Sequence, residues 1–266
     1  MLAGKKSRHF LVFAAALLTA LFASPGQAAT VYFNDFQGSA VGSEWSQTSL
    51  ASAPNPDYAG NRRFLGEFGN DVVSLTLNNL PTHTQLSLSF QLYLIRSWDG
   101  NDTTVINGDP LGPDTWSLGV AGGPSLLSAT FSNGNPAGQT YGGAFSSYTN
   151  TAYTPCTAYQ GYSGPGQYGP MTGANECYSL GYYFDDPNLG TQAMDSVYNL
   201  NFSFAHSGSS ITLNFAANGL QGLADESWGL DNVQLDMTPV PLPGAFGLML
   251  AGLGAFLGLA RQRHVR

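Results

Sequence analysis

Lysine is missing from the middle of this chain. Between Thr30 and Thr238 the only Lys or Arg residues are Arg62, Arg63 and Arg96, and all 17 carboxylates of the protein fall in the same stretch, giving it a formal charge of −14. A field of that sign repels phosphate backbones and excludes nucleic acid as a partner; it favours metal cations and neutral partners such as sugars. Charged residues make up 10% of the 266, well below the ~25% of an ordinary globular protein. Histidine is scarce as well. His83 follows Pro81-Thr82, His206 stands in a turn cluster, and neither has a Gly-x-Ser-x-Gly string nearby. A Ser-His-acid triad or a His/Cys zinc site lacks its parts, and both histidines read as exposed turn residues. The four glutamates lie far apart, with no Glu-x-Asp-x-x-Glu string, so the paired carboxylates of a glycosidase are not visible and the chain is expected not to be an enzyme. Helical periodicity and fixed-period repeats are absent from this stretch, which argues against bundles, solenoids and propellers.

The two ends follow a different pattern. Lys5, Lys6 and Arg8 precede the apolar run Phe10–Ala23, and Gly26-Gln27-Ala28 supplies small residues at −3 and −1 of a cleavage site. Residues 1–29 therefore read as a secretory signal, with the mature chain starting at Ala29 or Thr30. At the other end, Val240-Pro241-Leu242-Pro243 is followed by 17 apolar residues, Gly244–Ala260, and then by Arg261-Gln262-Arg263-His264-Val265-Arg266. Seventeen residues of helix span about 26 Å, close to the ~30 Å hydrocarbon core, and the arginines place that end in the cytoplasm. A Pro-rich motif, a short span and an Arg cluster in that order resemble the PEP-CTERM sorting signal of Gram-negative bacteria, with Val-Pro-Leu-Pro in place of the commoner Val-Pro-Glu-Pro. The resemblance implies export, a transient inner-membrane anchor, processing by an exosortase-type enzyme, and release to the cell surface or the exopolysaccharide matrix.

What lies between reads as one all-β domain, residues 30–238. Leu86, Leu88, Phe90, Leu92 and Leu94 alternate with Ser87, Ser89, Gln91 and Tyr93; Val73–Leu77 alternates likewise; Val31–Phe36, Trp116–Val120 and Leu126–Ser132 complete the clearer strands. Period two means one buried face. Tyr198–Phe204 and Ile211–Phe215, joined by His206-Ser207-Gly208-Ser209, read as a hairpin. Short strands between turn clusters predict an antiparallel β-sandwich of jelly-roll type. Residues 133–183 form a Gly/Tyr-rich insertion holding Cys156 and Cys177, the only cysteines. Exported thiols oxidise, so the two are expected to pair, adding about 3 kcal/mol in the chain-entropy model. The tyrosines of this loop, among them Tyr141 and Tyr168, either stack on sugar rings or pack the loop onto the sandwich.

Two acidic constellations stand out. One is Ser97-Trp98-Asp99-Gly100-Asn101-Asp102 with Asp109 and Gly112-Pro113-Asp114-Thr115-Trp116; it offers hard oxygen ligands for Ca²⁺, from Asp99 and Asp102, or else a solvated turn. The other joins the two ends of the domain: Asn34-Asp35-Phe36-Gln37-Gly38, with Trp45 beyond it, and Asp225-Glu226-Ser227-Trp228-Gly229-Leu230-Asp231-Asn232-Val233-Gln234-Leu235. Period two puts Asp231 on the face of Val233 and Leu235, so either a bulge intervenes or a carboxylate points into the core. Asp225 and Glu226 would point to opposite faces.

These opening and closing strings resemble the concanavalin A, laminin-G and MAM-like jelly rolls and related carbohydrate-binding modules. The resemblance implies a structural Ca²⁺ between first and last strands, with Gln37 in the place of the opening acid, Asp231 as the closing Asp, and Asp35 beside them. Phe64–Asn70, Ser97–Gly100 and Glu226–Val233 further resemble chains that carry the PEP-CTERM tail. The function expected is a non-catalytic surface or matrix protein, Ca²⁺-stabilised and binding extracellular polysaccharide through Trp98 and Trp116. The alternatives are a structural or adhesive matrix component and, third, a polysaccharide lyase or hydrolase.

Overall fold

A computed structural model describes residues 28–55, 62–134, 138–143, 156, 167–186 and 190–240. The signal at 1–27, the sorting residues Pro241, Leu242, Pro243, Arg261 and Arg263, and the span 244–260 lie outside them. Among the described residues there is no helix. The strands are β1 (Ala29–Asn34), β2 (Leu50–Ser52), β3 (Arg63–Phe68), β4 (Val72–Asn78), β5 (His83–Arg96), β6 (Val105–Ile106), β7 (Asp109–Pro110), β8 (Thr115–Val120), β9 (Ser125–Thr130), β10 (Glu176–Cys177), β11 (Tyr183–Asp186), β12 (Gly190–Ala193), β13 (Asp195–Ala205), β14 (Ser210–Asn218) and β15 (Glu226–Pro239). All pairings are antiparallel, as short strands linked by turns require.

Two sheets hold the domain. The larger runs β10-β13-β5-β15-β3-β2, with β1 also on β15, and the smaller runs β4-β14-β8-β9. Their inner faces meet in one core, in the manner of a β-sandwich. The even residues Leu86 to Leu94 of β5 face Val73 and Leu75 of β4, Leu213 and Phe215 of β14, and Trp116 and Leu118 of β8 across it. Alternation in the sequence thus identified the inner face of each of these strands correctly. Part of the outer face is also covered: Tyr93, Ile95 and Val197 pack with Phe64, Leu180 and Tyr182 in a second, smaller cluster.

The expected hairpin at 198–215 is not one. β13 pairs with β5 and β14 pairs with β4 and β8, so His206–Ser209 carries the chain from one sheet to the other. Alternation reports which face is apolar, not which neighbour supplies the ladder. Both apolar rows face each other across the core instead of lying side by side. The histidines differ from expectation too. His83 is buried at the start of β5, and its Nε2 lies 2.8 Å from His206 Nδ1, with Nδ1 2.6 Å from Pro81 O. The pair joins the crossover to the large sheet. Burial and the neighbouring His83 hold His206 below the ordinary imidazole range.

Part of the insertion is built around a carboxylate. Asp195, fully buried, accepts the backbone N–H groups of Leu180, Gly181 and Tyr182 at 3.0, 3.1 and 3.2 Å. Three donors offset part of the cost of burial, which still pushes the carboxyl up to about 6. Tyr141 stacks on Phe131 at 4.7 Å and meets Tyr198 edge-on, so it packs the loop inward. Cys156 and Cys177 form the expected disulfide, with Cα atoms 5.4 Å apart. Reducing it, or replacing Cys156 by Ser, is expected to lower the midpoint of thermal unfolding by about 6–12 °C, from ~3 kcal/mol of lost chain restriction; differential scanning calorimetry with and without reductant measures this.

Candidate functional site

Each sheet carries one inward-facing row that begins with an acid. In β15 the row is Glu226, Trp228, Leu230; leading into β8 it is Asp114, Trp116, Leu118. Period two places each acid where an apolar side chain belongs. Both have no exposed surface. Asp99, half-buried, enters from the loop after β5, and ligand oxygens of Asp99, Asp114 and Glu226 all lie within 4.8 Å of one another. The two constellations that the sequence separates therefore meet at one end of the sandwich. Antiparallel pairing of β5 with β15, which sets Glu226 opposite Arg96, brings the start of β15 beside the loop that follows β5.

Tight backbone contacts shape that loop. Gly100 has φ +61°, and a Cβ there would run into Gly138 O. Asp99 N donates to one oxygen of Asp114, and Gly100 O accepts from Asp114 N at 2.8 Å. Glu226 Oε2 accepts from Gln221 N at 2.8 Å. The remaining oxygens, Asp114 Oδ1 and Glu226 Oε1, are buried without a hydrogen-bond partner among the described residues. Asp99 O accepts from Asp102 N at 3.0 Å, but its carboxylate makes no hydrogen bond among the described residues. Neither ion pair found there, Arg62–Glu176 or Arg96–Glu67, reaches the cluster.

The electrostatic consequence is a cluster that resists ionisation. Burial, then Asp114, Asp225 and Asp102, push Asp99 up to about 8. Burial and the facing Asp114 drive Glu226 far above the carboxylate range, while burial pushes Asp114 up less, because the Asp99 N–H donates to its carboxylate. A proton shared by Glu226 and Asp114, or a cation, offsets the burial of the two carboxyls.

The other expected site residues are distributed as follows. Asp102 is buried, and its Oδ1 accepts from Thr104 N at 2.8 Å in a local turn; it acts on Asp99 through its charge. Asp35, Gln37 and Asp231 sit where β1 and β15 pair. Gln37 Nε2 donates to Asp35 O and Arg63 O, at 2.8 and 2.9 Å. Asp231 accepts from Tyr93 Oη at 2.7 Å and from Asn232 N at 2.7 Å, with the Arg62 guanidinium over the Tyr93 ring; burial pushes it up to about 6. The bulge that the sequence offered as an alternative is present: β15 advances from Asp231 to Gln234 while β5 advances from Gln91 to Ser89, and Asn232 has φ +50°.

Trp98 and Trp116, expected to stack on sugar, have no exposed surface and belong to the core. Trp98 Nε1 donates to Ser227 O at 2.8 Å, and Trp116 packs edge-on against Trp228. A ring with no free face cannot stack on a ligand, so that expectation is corrected. Asp114 and Glu226 were absent from the ligands expected. The available signal was the acid heading each apolar alternation.

Trp116→Ala should cost about 3–5 kcal/mol and lower the melting temperature by ~10 °C or more, the signature of a core residue. The acid cluster sets a pH dependence. The folded state keeps protons on Asp99, Glu226, Asp195 and Asp231 at pH values where unfolded carboxylates, near 4, have lost them. More protons bound in the folded state means stability falls as pH rises. In EDTA the melting temperature should therefore drop between pH 5 and pH 8, His206 opposing this below about pH 6.5, and Glu226→Gln should flatten the slope. Comparison of the chain with protein-family models, with curated proteins and with solved structures finds no match.

Proposed function

We propose that the chain is an exported, non-catalytic jelly-roll protein of the cell surface or exopolysaccharide matrix that holds polysaccharide on the outer face of its smaller sheet. One observation carries this reading. The strands of that face carry no charged side chain and are rich in hydroxyl and amide groups, with Glu44 at the edge. Ser74 and Thr76 of β4, Thr212 and Asn214 of β14, and Ser117 and Gly119 of β8 point outward, with Ser74 Oγ donating to Asn214 Oδ1 at 2.9 Å and the Thr76 and Thr212 hydroxyls 2.9 Å apart. Two grooves, of about 490 and 430 Å³, border it; one is walled by Tyr32, Ser43 and Glu44, the other by Gly122, Gly123 and His206. Neutral hydroxyl and amide groups match sugar hydroxyls as donors and acceptors. A neutral shelf on a body of charge −14 favours a neutral polymer over a polyanion.

The non-catalytic part rests on burial, since Asp114 and Glu226 present no surface to a glycosidic bond. Export, a transient inner-membrane anchor and handling by an exosortase-type enzyme rest on residues 1–29 and 239–266 as read from the sequence. A structural or adhesive role is the second reading, favoured by Val105 and Ile106, exposed side by side on β6.

Retention of the purified chain on gels of neutral polysaccharides tests the first reading. Wild type should be retarded. Asn214→Arg, which sets a bulky charge in the middle of the shelf, should weaken retention at least tenfold, whereas Val105→Asp with Ile106→Asp should leave it unchanged. No retardation of wild type on any gel removes the polysaccharide reading in favour of the adhesive one.

A further inference from the structure

The two inward rows headed by acids come from different sheets, so whatever neutralises them ties the sheets together. We propose that Asp99, Asp114 and Glu226 form a site for one hard divalent cation of the Ca²⁺ class, closing this end of the sandwich. The site is separate from the first-to-last-strand position implied by the sequence resemblance, where Asp231 accepts from Tyr93 and Asn232.

Proximity of acids alone would not carry this. The independent observation is that Asp114 Oδ1 and Glu226 Oε1 are fully enclosed, belong to residues with no exposed surface, and have no hydrogen-bond partner among the described residues. A buried carboxylate oxygen left bare costs several kcal/mol, and here the two acids that carry such oxygens belong to one cluster. The domain's arginines are engaged elsewhere: Arg62 on Glu176, Arg96 on Glu67, and Arg63 on Gly38 O.

Ligand chemistry selects the ion. Oxygens bound to one Ca²⁺ at about 2.3–2.6 Å lie at most about 5 Å apart, and those of this cluster all lie within 4.8 Å of one another. Mg²⁺ keeps several of its waters and is held by one or two carboxylates rather than by three. Three carboxylates supply the charge. Asp99, only half-buried, opens the site to solvent, from which water completes the six to eight oxygens that Ca²⁺ takes.

The test uses the full-length chain in detergent, stripped with EDTA. Thermal unfolding is followed while Ca²⁺ or Mg²⁺ is added, and Tb³⁺ emission is excited through tryptophan, because Trp98, Trp116 and Trp228 flank the three acids in sequence. Ca²⁺ at a hundredfold excess over its Kd should raise the melting temperature by about 5–10 °C. Tb³⁺ emission should appear and be displaced by Ca²⁺ more effectively than by Mg²⁺. Asp114→Asn and Glu226→Gln should each weaken Ca²⁺ binding at least tenfold, while exposed Asp185→Asn leaves it intact. If both buried variants fail to fold, Asp99→Asn makes the same comparison, since its carboxylate is half-exposed and carries no hydrogen bond.

No shift with Ca²⁺ and no sensitised emission would mean an acid pair sharing a proton only, and would overturn the proposal. So would a Ca²⁺ response that survives Glu226→Gln or Asp99→Asn, or one lost with Asp231→Asn instead. These readouts do not involve a glycan, so failure of the polysaccharide reading leaves them unaffected.

Discussion

The pairing of β5 with β15 is the constraint on which the rest depends. Both strands are 14 residues long and lie in the middle of the larger sheet, and their register is interrupted between Asp231 and Gln234 and again at the end of β15, between Thr238 and Pro239. The extra residue at the first of these reverses the parity of β15. Trp228 and Leu230 before it, and Val233 and Leu235 after it, all face the core opposite the even residues of β5. Without the bulge, one half of the strand would turn its apolar side chains outward. Asn232 absorbs the positive φ, which Asn tolerates better than most side chains. Asp231 is delivered to the outer face, beside Tyr93, rather than into the core.

The same register fixes what happens beyond the strand ends. It sets Glu226 inward at the start of β15, level with the loop that leaves β5 and with the entry to β8. It also leaves part of the outer face of the larger sheet apolar at Tyr93 and Ile95, and the segment ending in Tyr182 covers it. That segment is held by three kinds of interaction: the N–H groups on Asp195, the Arg62–Glu176 ion pair, and the Cys156–Cys177 disulfide. Only 10% of this protein is charged, and several of its acids are spent as buried anchors for backbone rather than as surface solubilisers. The outer face of the smaller sheet, whose strands carry no charged side chain, belongs to the same economy of charge.

Length, an all-β fold, the inner face of most strands and the cysteine pair were legible in the sequence, because period-two alternation and an isolated pair of thiols report local or compositional facts. Which strands are neighbours was not. Tyr198–Phe204 and Ile211–Phe215 look like the arms of a hairpin, yet each finds a better partner: an eleven-residue register with β5 for one, and β4 and β8 for the other. The buried tryptophans were misjudged for a related reason. Trp98 and Trp116 stand in polar, Gly- and Asp-rich surroundings in the chain, and only the closure of the two sheets makes that end of the molecule interior.

The acid cluster shows the division most clearly. From the sequence alone, Asp99 and Asp114 belonged to one constellation and Glu226 to another, more than a hundred residues away. Alternation was sufficient to place each of the two buried acids at the head of an apolar row. It was insufficient to bring the rows together, because that depends on sheet order and on the register of β15, which are set by the summed packing of distant segments. Local chemistry decided which residues these are and which way they face; tertiary structure alone decided that they face one another.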